Sequence, residues 1–190
     1  MKKLFDTQFY IHFRAPNADE LISFLSDKNE VDNDKFKWGS NCIVDKVPLK
    51  STPDIIEILL PSLIKLGDEL NHKDGFFLFH PWINIYSEYS HQEIHEHTGC
   101  DMSAVFFMNE GENFSQFYFR DRFSCFLTEN TRSVINYNDT NVLDNVRAGD
   151  MIFFPGSFYH GVGPHKSKEL RKTLSFNLNF EFNDSQTNNS

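Results

Sequence analysis

No apolar run in the chain approaches the roughly 20 residues of a membrane-spanning helix. Met1-Lys2-Lys3 gives way at once to Leu4-Phe5-Asp6, so no apolar signal segment develops. There is no basic stripe either. Lysine and arginine number 18 against 27 acidic residues, a net charge of −9. That balance argues against a nucleic-acid partner, because phosphate backbones are held by clustered cations. Cysteine is scarce: Cys42, Cys100 and Cys125 are an odd three without C-x-x-C spacing. They read as reduced thiols in a cytosolic-type compartment. These absences lead us to expect a cytoplasmic protein that binds neither nucleic acid nor membrane.

What the chain has in quantity is phenylalanine, 21 of 190 residues. Aromatic side chains favour strands and fill the cores of sandwiches. The length suits one domain. Residues 4–13 mix apolar and polar positions like a first strand, and Ala18 to Leu25 reads as a short helix capped by Asn17. Residues 26–36 are polar and read as a loop, with a turn at Lys37-Trp38-Gly39-Ser40-Asn41. The spacing of Ile55, Ile56, Leu59, Leu60, Leu63 and Leu70 predicts a helix over 53–71, which Pro61 would kink or split.

After Asp74-Gly75 the pattern changes to strands. Residues 76–86 (FFLFHPWINIY) suit a buried strand pair around His80-Pro81. Further runs lie at 102–109, 114–120, 132–137, 146–154 and 173–182. In the last, Leu174, Phe176, Leu178, Phe180 and Phe182 alternate with polar residues, the mark of a strand with one wet face. Many short strands imply a mainly β fold, a sandwich or barrel, with supporting helices before it, and a jelly-roll is the working expectation. The expected organisation is one domain over 1–182, helical over 1–75 and jelly-roll over 76–182. The apolar-free segment 183–190 is expected to be a disordered tail.

The chemistry centres on His95-Glu96-His97 and His160. Histidines one residue apart project from one side of an extended strand, and imidazoles so placed can share a metal ion. His160, in Phe153-Phe154-Pro155-Gly156-Ser157-Phe158-Tyr159-His160, would return on a distant strand. A lone histidine is more often structural, and the alternative is a polar strand face with incidental histidines. His12 reads as a strand-edge residue, His72 as a helix C-terminal residue, and His91 and His165 as loop residues. Arg171 and Thr173, two apart, share one side of the last long strand. A guanidinium beside a hydroxyl is a receptor for a carboxylate. It is equally an exposed solubilising residue, and spacing alone leaves both readings open.

Several segments together carry a resemblance. Trp82-Ile83-Asn84-Ile85-Tyr86 is followed by His95-x-His97-Thr98-Gly99 and Ser103-Ala104-Val105-Phe106-Phe107. Then come Phe154-Pro155, His160-Gly161-Val162-Gly163-Pro164, Arg171 and Ser175-Phe176-Asn177. This resembles a family of 2-oxoglutarate- and Fe(II)-dependent oxygenases related to prolyl hydroxylases, over about residues 76–180. The resemblance implies a double-stranded β-helix, with iron on His95, His97 and His160. It implies that Arg171, with Thr173 nearby, takes the distal carboxylate of 2-oxoglutarate, and that Asn84 and Tyr86 contact this cosubstrate. It implies an O2-dependent hydroxylation of a small molecule or protein side chain, with 2-oxoglutarate decarboxylated to succinate and CO2.

The chain departs from the family pattern at Thr98, usually Pro, at Ala104, commonly Gly, and at Phe107, often a cosubstrate-binding Tyr. The ligand set itself has no carboxylate, whereas non-haem iron oxygenases usually combine two histidines with one. Three neutral imidazoles leave Fe(II) at +2, which a 2-oxoglutarate dianion would neutralise. Asp101 is the alternative ligand, if the chain curls back at Thr98-Gly99. Asp101 also fits a cupin-like pattern, with Gly149, Pro155, Ser157 and His160 spaced as in the second cupin motif. A cupin-like metalloenzyme without 2-oxoglutarate, or a non-enzymatic jelly-roll binding protein, is therefore the competing expectation. Arg171 separates them, since only the oxygenase requires it.

Overall fold

The computed structural model describes residues 8–28, 36–37 and 44–182. Expectations for Trp38, Cys42 and the 183–190 tail lie outside these residues. Among the described residues eleven strands and three α-helices follow one another: β1 (Ile11–Arg14), α1 (Ala18–Lys28), β2 (Phe36–Lys37), β3 (Asp45–Pro48), α2 (Pro53–Leu70), β4 (Phe76–Tyr86), β5 (Gln92–His95), β6 (Met102–Phe107), β7 (Phe117–Arg120), α3 (Glu129–Val134), β8 (Thr140–Leu143), β9 (Asp150–Pro155), β10 (His160–Val162) and β11 (Arg171–Phe180). The strands form two antiparallel sheets. A seven-stranded sheet has the order β1-β9-β6-β11-β4-β3-β2, and a four-stranded sheet the order β5-β10-β7-β8. This is the expected jelly-roll.

Two apolar clusters hold it together. Leu21 and Leu25 of α1 and Ile55, Leu59, Leu63 and Leu66 of α2 pack with Ile83, Phe106, Phe153, Leu174, Phe176 and Leu178 of the large sheet. The second cluster includes Tyr86, Val105, Phe107, Phe117, Ile152, Phe154 and Val162, contributed by both sheets. Burying each such side chain removes apolar area from water and contributes roughly 1.5–3 kcal/mol. Pro61 lies within α2, which runs unbroken through it.

The structure corrects the sequence reading in three places. Residues 76–86 are one strand, not a pair. At His80-Pro81 β4 carries a bulge: its register against β11 gains a residue between Phe79 and Trp82, and His80 adopts φ 50°. A proline, lacking an N–H, is tolerated at a bulge. Residues 132–137 are not a strand. Thr128 accepts the N–H of Thr131 and caps α3, while the strand forms later, at β8. The polar face of β11 is not wet. Arg171, Thr173, Ser175 and Asn177 are all buried, turned toward the small sheet.

Candidate metal centre

The small sheet and the turns at its end assemble the histidines. His95 is the last residue of β5, and His160, the first of β10, is its direct cross-strand partner. His97 lies just past the strand, so it does not share β5 with His95 as the spacing suggests. Gly156 fixes it instead. The N–H of His97 donates to the Gly156 carbonyl at 2.8 Å, and the N–H of Gly156 donates to the Asp101 carbonyl at 3.1 Å. A Cβ at 156 would lie 2.4 Å from Cys100 Sγ and 2.9 Å from the His97 carbonyl oxygen. Only glycine lets the two turns approach this closely.

The rings converge. Centroids lie 4.2 Å apart for His95 and His160, 5.1 Å for His97 and His160, and 5.2 Å for His95 and His97. One nitrogen from each lies within 4.8 Å of the other two, close enough to share an ion. His95 Nδ1 is 2.8 Å from the Glu93 carbonyl, and His160 Nδ1 is 2.9 Å from the Phe158 carbonyl. A carbonyl only accepts, so each Nδ1 carries the proton and each Nε2 keeps a lone pair for a metal. Burial pushes His95 and His97 down to about 4, and His160 well below the ordinary histidine range. The Lys46 ammonium acts on all three in the same direction. They are neutral donors at physiological pH.

From the histidines a cleft runs between the sheets, lined by Trp82, Tyr86, Gln92, Thr173, Ser175 and Arg171 among others. Arg171 is 3% exposed, and its Nη1 has no hydrogen-bond partner. Its guanidinium carbon lies 4.7 Å from the Tyr86 ring centroid and 5.4 Å from that of Phe107. A buried cation with an unused donor costs free energy unless an anion meets it. Asn84 Nδ2 donates to Thr173 Oγ1 and Ser175 Oγ, and its Oδ1 accepts from Trp82 Nε1. Tyr86 donates to Gln92 Oε1 at 2.7 Å. Between its lining side chains the cleft leaves room for about one water.

His95, His97, His160, Arg171, Thr173 and Tyr86 thus line one cleft, and Asn84 braces its floor. Asp101 does not join the histidines: its Oδ2 accepts the N–H of Phe180. Nor do the other histidines singled out earlier. His12 bonds Asp150, His72 packs among Phe76, Phe180 and Phe182, and the fully buried His165 bridges Ser115 and Glu169. Trp82 and Gln92, which line the cleft, were not foreseen as site residues. The phase of the Trp82-x-Asn84-x-Tyr86 alternation was the available signal for Trp82.

A family model described as "Putative 2OG-Fe(II) oxygenase" matches residues 80–177, just over half of the chain. No curated protein matches it. Among solved structures, HygX from Streptomyces hygroscopicus with nickel and 2-oxoglutarate bound is 14% identical with a TM-score of 0.68, over 94% of this chain and 85% of that one. The epimerase SnoN in complex with Fe3+, alpha ketoglutarate and nogalamycin RO is 17% identical with a TM-score of 0.70, over 92% and 80%. A Pseudomonas putida prolyl-4-hydroxylase is 14% identical with a TM-score of 0.63, over 93% and 95%. Likeness at such identities establishes a shared fold.

Proposed function

The chain belongs to the 2OG-Fe(II) oxygenase family, and from that premise we propose that His95, His97 and His160 are its iron ligands and Arg171 its receptor for the far carboxylate of 2-oxoglutarate. One observation carries this reading: a buried guanidinium whose Nη1 has no hydrogen-bond partner shares a cleft with three converging neutral imidazoles. Three protein donors would leave a bound iron free to take the keto acid and O2 as well. When bound, iron and 2-oxoglutarate supply the oxidising chemistry: 2-oxoglutarate and O2 give succinate and CO2, and the second oxygen atom hydroxylates the substrate.

The chain's own part is to place and enclose the reactants. The carbonyls of Glu93 and Phe158 hold two imidazoles in one tautomer. Arg171 offers the planar fork that suits a carboxylate, and Asn84 turns the Thr173 hydroxyl. Phe107, where a tyrosine would bond the cosubstrate, packs on the guanidinium instead. Phe117 and Phe154 pack on His160 and exclude water from that side. The substrate is a small molecule or a protein side chain. The domain spans 1–182. No helix among the described residues is long and apolar enough to cross a membrane. The free thiols of Cys100 and Cys125 and the net charge of −9 suit a cytoplasmic enzyme without nucleic-acid or membrane partners.

The test is anaerobic titration with Fe(II) and 2-oxoglutarate, read by the weak metal-to-ligand charge-transfer absorption. The wild type should develop the band and His160→Ala should not. Arg171→Met should need about 10–100-fold more 2-oxoglutarate, the loss of a charge-assisted hydrogen bond worth about 1.5–3 kcal/mol. An unchanged titration in Arg171→Met would sink the assignment.

A further inference from the structure

The end of the sandwich away from the histidines carries a second space. On the small sheet His160 pairs with both His95 and Phe119. Two residues further along, Val162 and Leu143 both pair with Phe117. Beyond that row an open pocket of about 580 Å³ lies between residues 109–116, 143–147 and 163–166. Arg171, Phe107 and Phe117 form its inner wall, and Arg171 and Phe117 line the metal cleft as well. Arg171 therefore stands at the partition between the two spaces.

The walls of this pocket are tied in place. The N–H of Gly163 donates to the Gln116 carbonyl at 3.0 Å, and that of Lys166 to the Asn113 carbonyl at 3.1 Å. The N–H of Ser115 donates to Nδ1 of the fully buried His165 at 3.2 Å, and Nε2 of that ring is 2.7 Å from the Glu169 carbonyl. A carbonyl only accepts, so Nε2 carries the proton and His165 pins one wall to the other. Across the pocket Glu110 accepts the N–H of Ala148.

Two polar atoms of these walls lack a hydrogen-bond partner: Oγ of Ser115, a residue 6% exposed, and Nη1 of Arg171. A buried polar atom left unbonded costs free energy unless a ligand or water meets it. Arg147 and Lys166 also line the pocket and are exposed, and among the described residues neither side-chain cation makes a hydrogen bond or ion pair. With Arg171 they set three cations against two carboxylates, Glu110 and Asp144. The chain as a whole carries a net charge of −9 and repels a dianion; this rim draws one in.

We propose that this pocket is the port through which 2-oxoglutarate reaches Arg171. Arg147 and Lys166 gather the dicarboxylate at the rim, and the Ser115 hydroxyl meets it on the way in. A carboxylate arriving from this side meets the guanidinium without passing the histidines, so cosubstrate and substrate need not share one entrance. The inference rests on the iron and 2-oxoglutarate reading above.

The test is kinetic. Full-length protein loaded with Fe(II) is mixed anaerobically with 2-oxoglutarate in a stopped-flow cell, and the charge-transfer absorption gives the association rate. At low ionic strength the double variant Arg147→Glu/Lys166→Glu should associate at least about tenfold more slowly than the parent. The gap should close toward about 1 M salt, where the Debye length is about 3 Å. Lys50→Glu/Lys73→Glu changes the net charge equally on exposed side chains outside the pocket. It should stay within about twofold of the parent, because distant exposed charges are screened. Gly163→Phe narrows the port. A Cβ there meets only the Gln116 carbonyl oxygen, at 3.8 Å, so the fold has room for it. It should slow association and dissociation by the same factor and leave the equilibrium affinity within about twofold, whereas a lost contact would act mainly on dissociation. A rim pair that associates at the parental rate overturns the proposal. So does a control pair slowed as much as the rim pair, or a Gly163→Phe protein that binds at the parental rate. A parent that develops no band sinks the iron and cosubstrate reading instead, before any variant is compared.

Discussion

The two faces of the seven-stranded sheet are equally dry and opposite in character. Along β11, Leu174, Phe176 and Leu178 turn to the helices, while Arg171, Thr173, Ser175 and Asn177 turn to the cleft. One face is cohesive and carries stability. The other carries, beside the second apolar cluster, a polar network whose members satisfy one another: Asn84 with Thr173, Ser175 and Trp82, and Ser103 with Asn177. Buried polar groups are tolerated only when so paired. The difference teaches that burial alone does not separate core from site. The unmatched donor at Arg171 does.

That contrast is open to attack, from the apolar face first. Phe176→Ala should cost about 3–5 kcal/mol of unfolding free energy by cavity formation, measured by denaturant titration. The metal affinity of the folded fraction should stay unchanged, and a matching loss of metal affinity would blur the distinction between the faces.

Acid attacks the other face. His95 and His97 titrate near 6.5 when unfolded and near 4 in the fold. Between these values the unfolded chain binds more protons, so the metal-free protein loses stability as pH falls from about 6.5 to about 4. The loss is at most about 3 kcal/mol for either histidine. Saturating Ni(II) should raise stability throughout but leave this loss in place and extend it below about pH 4, because the bound ion keeps the imidazoles unprotonated in the fold, and a metal-free melting temperature flat across this window would contradict it. The smallest effect is expected at Asn84. Asn84→Ala leaves two hydroxyls and an indole N–H without their partner, which costs about 1–3 kcal/mol. It should also raise the 2-oxoglutarate concentration needed for half-saturation, whereas Phe176→Ala should not.

Much of this arrangement was legible in the residues themselves. A β-sandwich or barrel followed from short aromatic strands, the jelly-roll from the family resemblance, and the three histidines from their spacing and their setting. Other parts were not. Alternation in β11 distinguishes polar from apolar positions, but it does not say whether the polar side meets water or a second sheet. Val134, Ile135 and Tyr137 imitate a strand, and the Thr128 cap turns that stretch into α3. Lys46 sits in Asp45-Lys46-Val47-Pro48, an ordinary short strand one place in from the sheet edge. Its burial goes with a partner 38 positions away, Asn84, and local pattern carries no trace of that pairing.

The bulge at His80-Pro81 has a consequence for how β4 is divided. Before it, the even-numbered Leu78 faces the helices; after it, the odd-numbered Ile83 and Ile85 do, and the even-numbered Asn84 and Tyr86 look the other way. One surplus residue therefore shifts the strand out of step with itself. A single ribbon can serve as scaffold at both ends and as chemical wall at only one, and the boundary between those duties is stored in a miscount.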